Sequence, residues 1–259
     1  DASDDSWGHA LEAREAGHIE VTRGYIVENR DVAIAIMNDN STGNFTDLAV
    51  RQTRHQVSDT QGGWGLLVSL GAQVILERAH FDDSQDAGVL IDQTGSYLRA
   101  TDLSITHTVE SPSGIGGWGL GVQFGASADL NRVHIDRSRE VGMVLFDTGT
   151  VLNATDLTVT GTEGIACARA NTPECPEGYG DGIELMGGAS MTLERFELSG
   201  NQRVGLATLD ANSVAEEDSW NAVGTPSLRA TSGVITGNLI GVNIQGDGVD
   251  LYSDFTNVL

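Results

Sequence analysis

Apolar side chains recur at every second position along this chain, in short runs that polar segments interrupt. In LRATDLSIT (98–106), Leu98 and Ala100 alternate with Arg99, the phase slips at Thr101 and Asp102, and Leu103 and Ile105 resume it around Ser104. Period-two alternation sends one set of side chains to a buried face and the other outward, so each run predicts a strand. The slip predicts a two-residue bend between two strands. A polar turn follows, then a third strand that opens at a glycine, as in SQDAGVLI (84–91), SREVGMVL (138–145) and NQRVGLAT (201–208).

The unit repeats. LNATDLTVT (152–160) restates LRATDLSIT after 54 residues (152 − 98), and eight equivalent bends can be aligned along the chain. Their third positions are Arg23, Asp47, Arg78, Asp102, Arg132, Asp156, Arg195 and Ser232, separated by 24, 31, 24, 30, 24, 39 and 37 residues. The base unit is therefore 24 residues. Three short strands of one polarity, joined by turns that are not of the Asn-Gly hairpin kind, cannot stack as hairpins. They can form one coil of a solenoid, with parallel strands about 4.8 Å apart and ladders of Val, Ile and Leu inside. Odd coils are short, and even coils carry insertions at 54–63, 109–117 and 163–180, ahead of Trp64, Trp118 and Asp181. The larger repeat is thus a coil pair. Bend charges alternate Arg, Asp, Arg, Asp, so opposite charges are expected to meet down the stack and oppose a one-coil slip.

This pattern resembles the right-handed parallel β-helix of the pectate-lyase-like superfamily, over essentially the whole chain. The resemblance implies an all-β fold, one domain spanning 1–259, right-handed winding and about nine coils. It further implies that the bend is the short second turn, that GVLI, GMVL and GLGVQF belong to the first strand, and that the insertions fall in the third turn. It is architectural and matches no enzyme family in particular. The start, WGHALEAREAGHIEVTRG (7–24), aligns with WGLLVSLGAQVILERAH (64–80), and VDLYSDFTNVL stops part-way through a coil. Further coils, a cap or a partner are expected at one or both ends, because bare solenoid ends expose sheet edges.

Composition agrees with many short strands and turns: 33 Gly, 4 Pro and few aromatics. The formal charge is −23, and all 14 basic residues are Arg. Such a surface repels nucleic acid and anionic lipid, so neither is expected as a partner, and no apolar run is long enough to span a membrane. Cys167 and Cys175 share one turn-rich segment, CARANTPEC. Either they close a local disulfide, which would place the chain in an oxidising compartment, or they remain two thiols. A secreted or cell-surface location is expected.

In the enzymes of the resembled superfamily, substrate lies along the outer face of the first strand. Here the outward pairs are Ala35/Met37, Leu67/Ser69, Leu90/Asp92, Gly121/Gln123, Val144/Phe146, Glu184/Met186, Ala207/Leu209 and Asn243/Gln245. A lyase of this type wants acidic calcium ligands beside an Arg or Lys base, and a hydrolase wants clustered carboxylates. Only Asp92 and Glu184 carry acid on this face. Asp181, Glu184, Glu163 and Asp210, near the largest insertions, are the candidate catalytic residues, and Asp181 and Glu184 the candidate ligands for Ca2+. An apolar strip wants a cover: Trp64, Trp118 and Tyr179 are candidate lids or, with Phe146 and Met186, a ligand-binding surface. His80 and His134 fall two coils apart, too far to share a metal, and His107 has Asp82 and Glu110 near it in the turns. NDNSTGNFTD (38–47) is expected to be a plain polar turn, not a calcium loop.

These features favour a non-catalytic structural or adhesive module that presents its inserted loops to a glycan or protein. A polysaccharide lyase or glycoside hydrolase working near 163–184 is the alternative. A third is a fibre or shell component stacking through its ends.

Overall fold

The computed structural model describes residues 8–57, 62–112, 114, 116–164, 180–209 and 224–245, and a last short strand at Phe255–Thr256. Among these residues every regular element is a strand. Strands alternate between two all-parallel sheets of nine. The first sheet holds β1 (Leu11–Ala13), β3 (Val32–Met37), β5 (Trp64–Ser69), β7 (Ala87–Asp92), β9 (Trp118–Gln123), β11 (Val141–Phe146), β13 (Asp181–Met186), β15 (Val204–Leu209) and β17 (Ile240–Gln245). The second holds β2 (His18–Val27), β4 (Thr42–Arg51), β6 (Gln73–Asp82), β8 (Tyr97–Thr106), β10 (Ser127–Asp136), β12 (Val151–Thr160), β14 (Ser190–Ser199), β16 (Ser227–Thr236) and β18 (Phe255–Thr256). This is a parallel, solenoid-like repeat structure.

Each unit contains two strands where the alternation predicts three. The bend does not end the ladder: pairing runs from Ser127↔Val151 through Asn131↔Thr155, skips Arg132, and resumes at Val133↔Leu157. One left-handed residue makes the bend, with φ of 62° at Arg23, 54° at Asp47, 53° at Arg132 and 57° at Asp156. A single such residue turns the strand and reverses its in-out phase, which is the slip visible in the sequence. NDNSTGNFTD divides between a turn closed by Ser41 N–H donating to Asn38 O and the strand β4 that follows.

Between the sheets lies one continuous core. Ile34, Leu66, Val89, Leu120, Met143, Ile183 and Leu206 ladder down the first sheet, and Val74, Leu98, Ala128, Leu152 and Met191 down the second. Burying such a side chain is worth about 1.5–3 kcal/mol against leaving it exposed, and in a stack each rung covers the rungs on either side.

The bend charges meet as the alternation requires. Arg78 grips Asp47 (Nε to Oδ1 2.6 Å), Arg132 grips Asp102 (2.6 Å) and Arg195 grips Asp156 (2.7 Å), each with a second guanidinium nitrogen on the other oxygen. These pairs are solvated, so their main value is register. Arg132→Asp would oppose Asp102 and Asp156 with like charge. Its melting temperature in low salt should fall by a few degrees and recover as salt is added; an unchanged melt in low salt rejects the ladder.

Candidate functional site

The outer face of the first sheet is built around one column. Val32 stands beside Trp64, Ala87 beside Trp118, Val141 beside Asp181 and Val204 beside Ile240. The residue immediately before the strand is Asp31, Asp86, Glu140 or Arg203 in alternate units. A ring nitrogen reaches the acid of the next unit three times: His9 Nε2 to Asp31 Oδ2 at 3.0 Å, Trp64 Nε1 to Asp86 Oδ2 at 2.6 Å, and Trp118 Nε1 to Glu140 Oε2 at 3.2 Å. At the fourth place the roles invert. Asp181 occupies the ring's position and Arg203 the acid's, joined by Arg203 Nε donating to Asp181 Oδ1 at 2.8 Å and a second guanidinium contact to Oδ2.

Trp64 and Trp118 pack, with Met37, on a separate apolar cluster of Val32, Ala35, Leu67, Ala87 and Leu90. Gly121 leaves room for this: a Cβ there would lie 2.9 Å from Leu90 Cδ1 and 3.3 Å from Trp118 Cε3. The indole is folded down onto the strip. Leu67, Leu90, Val144 and Ala207 in the first row of the predicted outward strip are buried, whereas Met37, Asp92, Gln123, Met186 and Leu209 in the second row are half-buried and Gln245 is exposed.

Burial sets the electrostatics of this column. It raises the Asp86 carboxyl to about 6, against the bond from Trp64 that favours the ionised form. It raises Glu140 to about 7, opposed by Trp118 and the Gly116 N–H and reinforced by the charges of Asp86 and Glu110. Asp31 is also desolvated, but hydrogen bonds from His9 and Gln56 and the His9 charge bring it below the ordinary range. Glu184 is pushed well above its ordinary value, first by burial and then by its hydrogen bond to Asp181 and that group's charge, with Arg203 pulling the other way.

The candidate acids divide. Asp181 and Glu184 come together, 0% and 5% exposed, with Arg203 reaching Glu184 at 3.4 Å. Glu163 stands apart, exposed and paired with Arg139 at 2.9 Å. Asp210 lies outside the described residues, as do Tyr179, Cys167 and Cys175. Asp181, Glu184 and Arg203 have the residue types of acid–base chemistry: a carboxyl whose pKa burial raises beside a second carboxyl held by a guanidinium. Among the described residues no group of three or more His, Cys, Asp or Glu side chains is placed to hold a metal ion. Of the proposed ligand-binding residues, Trp64, Trp118, Phe146 and Met186 are described and Tyr179 is not. Trp64 and Trp118 begin their strands, whereas Phe146 and Met186 end theirs, and Phe146 is buried against the edge of Phe124 with ring centres 5.7 Å apart.

His107 bonds Asp82 (Nδ1 to Oδ1 2.9 Å), an acid that Thr106 and Arg51 also engage. His80 and His134 flank Ser104 in register, as their spacing requires. The sequence reading missed Asp86, Glu140 and Arg203. Their signal was the charged residue directly before AG or VG in every second unit, which alternation does not sort because it sits in a turn.

Asp86 and Glu140 also set a pH dependence. Their folded pKa values lie above the unfolded ones, so the folded state holds more protons between about pH 4 and 7, and stability falls as pH rises across that window. The melting temperature should drop between pH 5 and pH 8. Glu140→Gln should reduce the drop by raising the melt at pH 8; an equal drop in the variant removes Glu140 from the account.

Comparison of the chain with protein-family models, curated proteins and solved structures gives no match.

Proposed function

We propose that this chain is a right-handed parallel β-helix of the pectate-lyase-like kind, with about nine coils, acting as a rigid extracellular or cell-surface module. It presents its inserted loops to a glycan or protein partner and does no chemistry itself. The observation that supports this reading is the cover over Leu67 and Leu90: Trp64 and Trp118 lie down on the face where a related enzyme would seat substrate, and half-buried acids hold both rings. Handedness follows the general preference for right-handed crossovers between parallel strands.

The test is a glycan and protein binding array run beside a turnover assay. Uronate and neutral polysaccharides are incubated with the chain, with and without Ca2+, and new chain ends are measured. The reading expects binding that survives Glu184→Gln and is lost when the 109–117 insertion is shortened, with no turnover. Failure to bind any target overturns it. The pairing of Asp181 and Glu184 beside Arg203 favours the second reading, a polysaccharide lyase or glycoside hydrolase. Turnover abolished by Glu184→Gln would establish that reading in its place.

A further inference from the structure

One corner of the stack keeps polar side chains inside. Gln85 stands in register with Val109, and Arg139 with Glu163, so the residues just before them share a column with Thr53 and Thr162: Thr53, Ser84, Thr108, Ser138 and Thr162. Backbone bonds tie the column together, with Gln85 N–H donating to Thr53 O at 2.9 Å, Val109 N–H to Ser84 O at 2.9 Å, Arg139 N–H to Thr108 O at 3.0 Å and Glu163 N–H to Ser138 O at 2.9 Å. All five residues are at most 1% exposed, and none of their hydroxyls has a hydrogen-bond partner among the described residues. A buried hydroxyl left unpaired carries its full desolvation penalty, and five in succession would consume much of a domain's small margin of stability.

The far end of the column shows what a filled corner looks like. Asn201 follows Thr162, and its Oδ1 accepts from Thr162 N–H at 3.1 Å. Asn238 follows in turn, and its Oδ1 accepts from Asn201 N–H at 2.9 Å and from Asn201 Nδ2 at 3.0 Å. An amide is long enough to cross the step between units. A hydroxyl is not, because the step is about 4.8 Å and an O–H···O bond spans only about 2.7–2.8 Å. The walls are alike at both kinds of level: the Cβ position of Gly119 lies 2.7 Å from Ser138 Oγ and 2.4 Å from Gly142 O, and that of Gly182 lies 2.7 Å from Asn201 Nδ2 and 2.5 Å from Gly205 O. A corner that encloses Asn at one level has room for a further small polar group where Ser or Thr stands. One oxygen between successive hydroxyls makes two bonds of ordinary length at an angle of about 120°, close to the tetrahedral preference of water.

We propose that this column binds a file of internal water molecules, one in each gap between Thr53, Ser84, Thr108, Ser138 and Thr162. Each water accepts a hydrogen bond from one hydroxyl and donates one to the next, so every hydroxyl gives and receives once. Water is the occupant because the gap is polar at both ends, carries no charge to hold an ion and is closed to anything larger. The result is a chain of alternating side-chain and water oxygens about 19 Å long, four steps of about 4.8 Å.

A high-resolution crystal structure of the 259-residue chain reads the file directly. An ordered water is expected in each gap, within hydrogen-bonding distance of both hydroxyls. In solution the probe is Thr108→Val, which keeps the side chain's shape and takes two bonds from the file. Thr108 Oγ1 lies 3.4 Å from the Cβ position of Gly88, so a methyl group is accepted there. The variant should melt a few degrees below wild type, and water magnetic relaxation dispersion should count fewer long-lived internal waters in it. A column without water in the crystal structure, or hydroxyls bonded straight to backbone carbonyls, overturns the proposal. So does a Thr108→Val protein that melts at or above wild type, the result expected of a hydroxyl with no partner to lose. The wild-type crystal structure decides even where the variant fails to fold.

Discussion

Val89→Asp should leave the chain without a cooperative native fold at neutral pH. Val89 is fully buried on the inward face of β7, level with Leu66 on one side and Leu120 on the other. A carboxylate placed there faces the apolar interior with no partner, which costs several kcal/mol even after relaxation. Whole domains are stable by only about 5–15 kcal/mol. The stack sharpens the effect, because a rung that cannot close loses its interface to the units on both sides. The expected result is loss of the sheet circular dichroism and of any melting transition at pH 7, with partial return near pH 4, where the new carboxyl can take up a proton. Ser104→Asp, on the outward face of β8 with His80 and His134 beside it in register, is the control and should melt close to wild type. A Val89→Asp protein with a normal melt at pH 7 would mean that the inward and outward faces are wrongly assigned.

That assignment was legible in the sequence because alternation is a direct image of the pleat. The residues chosen as inward and outward on the first sheet fall on those sides, the bends stack with alternating charge, and the insertions precede Trp64, Trp118 and Asp181 as the uneven spacings require. The division of each unit into three strands was not. Left-handed φ at a Leu-Asn-Arg or Ala-Thr-Asp bend leaves no composition signal, and the ladder runs through it. The site was half legible. Asp181 and Glu184 could be singled out as acids near an insertion, but their partner Arg203 sits 22 residues on from Asp181 and meets it only through the stack. The same holds for Trp64 with Asp86 and Trp118 with Glu140. Such contacts join one unit to the next, so they follow from comparing equivalent positions in successive units.

Gly65→Ala should destabilise the chain by about 2 kcal/mol, near the middle of the range for overpacking a closed interior. The reason is space and not conformation, since Gly65 does not have positive φ. A Cβ built there would lie 2.5 Å from the carbonyl oxygen of Gly88, 2.7 Å from Phe81 Cδ1 and 3.0 Å from the Ser84 hydroxyl. Gly88, Gly119, Gly142, Gly182 and Gly205 meet the carbonyl of the next unit's glycine in the same way. The column of glycines is therefore where successive backbones approach most closely, and a methyl can enter only if a ladder bond lengthens. Ala33 holds the equivalent position one unit before Gly65 and is itself fully buried. The backbone can therefore yield by one methyl where the sequence provides for it, which keeps the expected cost below outright unfolding. For a chain of this size the melting temperature should fall by roughly 4–8 °C. Adding Ser84→Ala removes only the most distant of the three contacts and should recover little of the loss. Full recovery in the double variant would show that the hydroxyl, and not the Gly88 carbonyl, sets the limit; an unchanged melt in Gly65→Ala alone would show that the glycine column is not required by space at all.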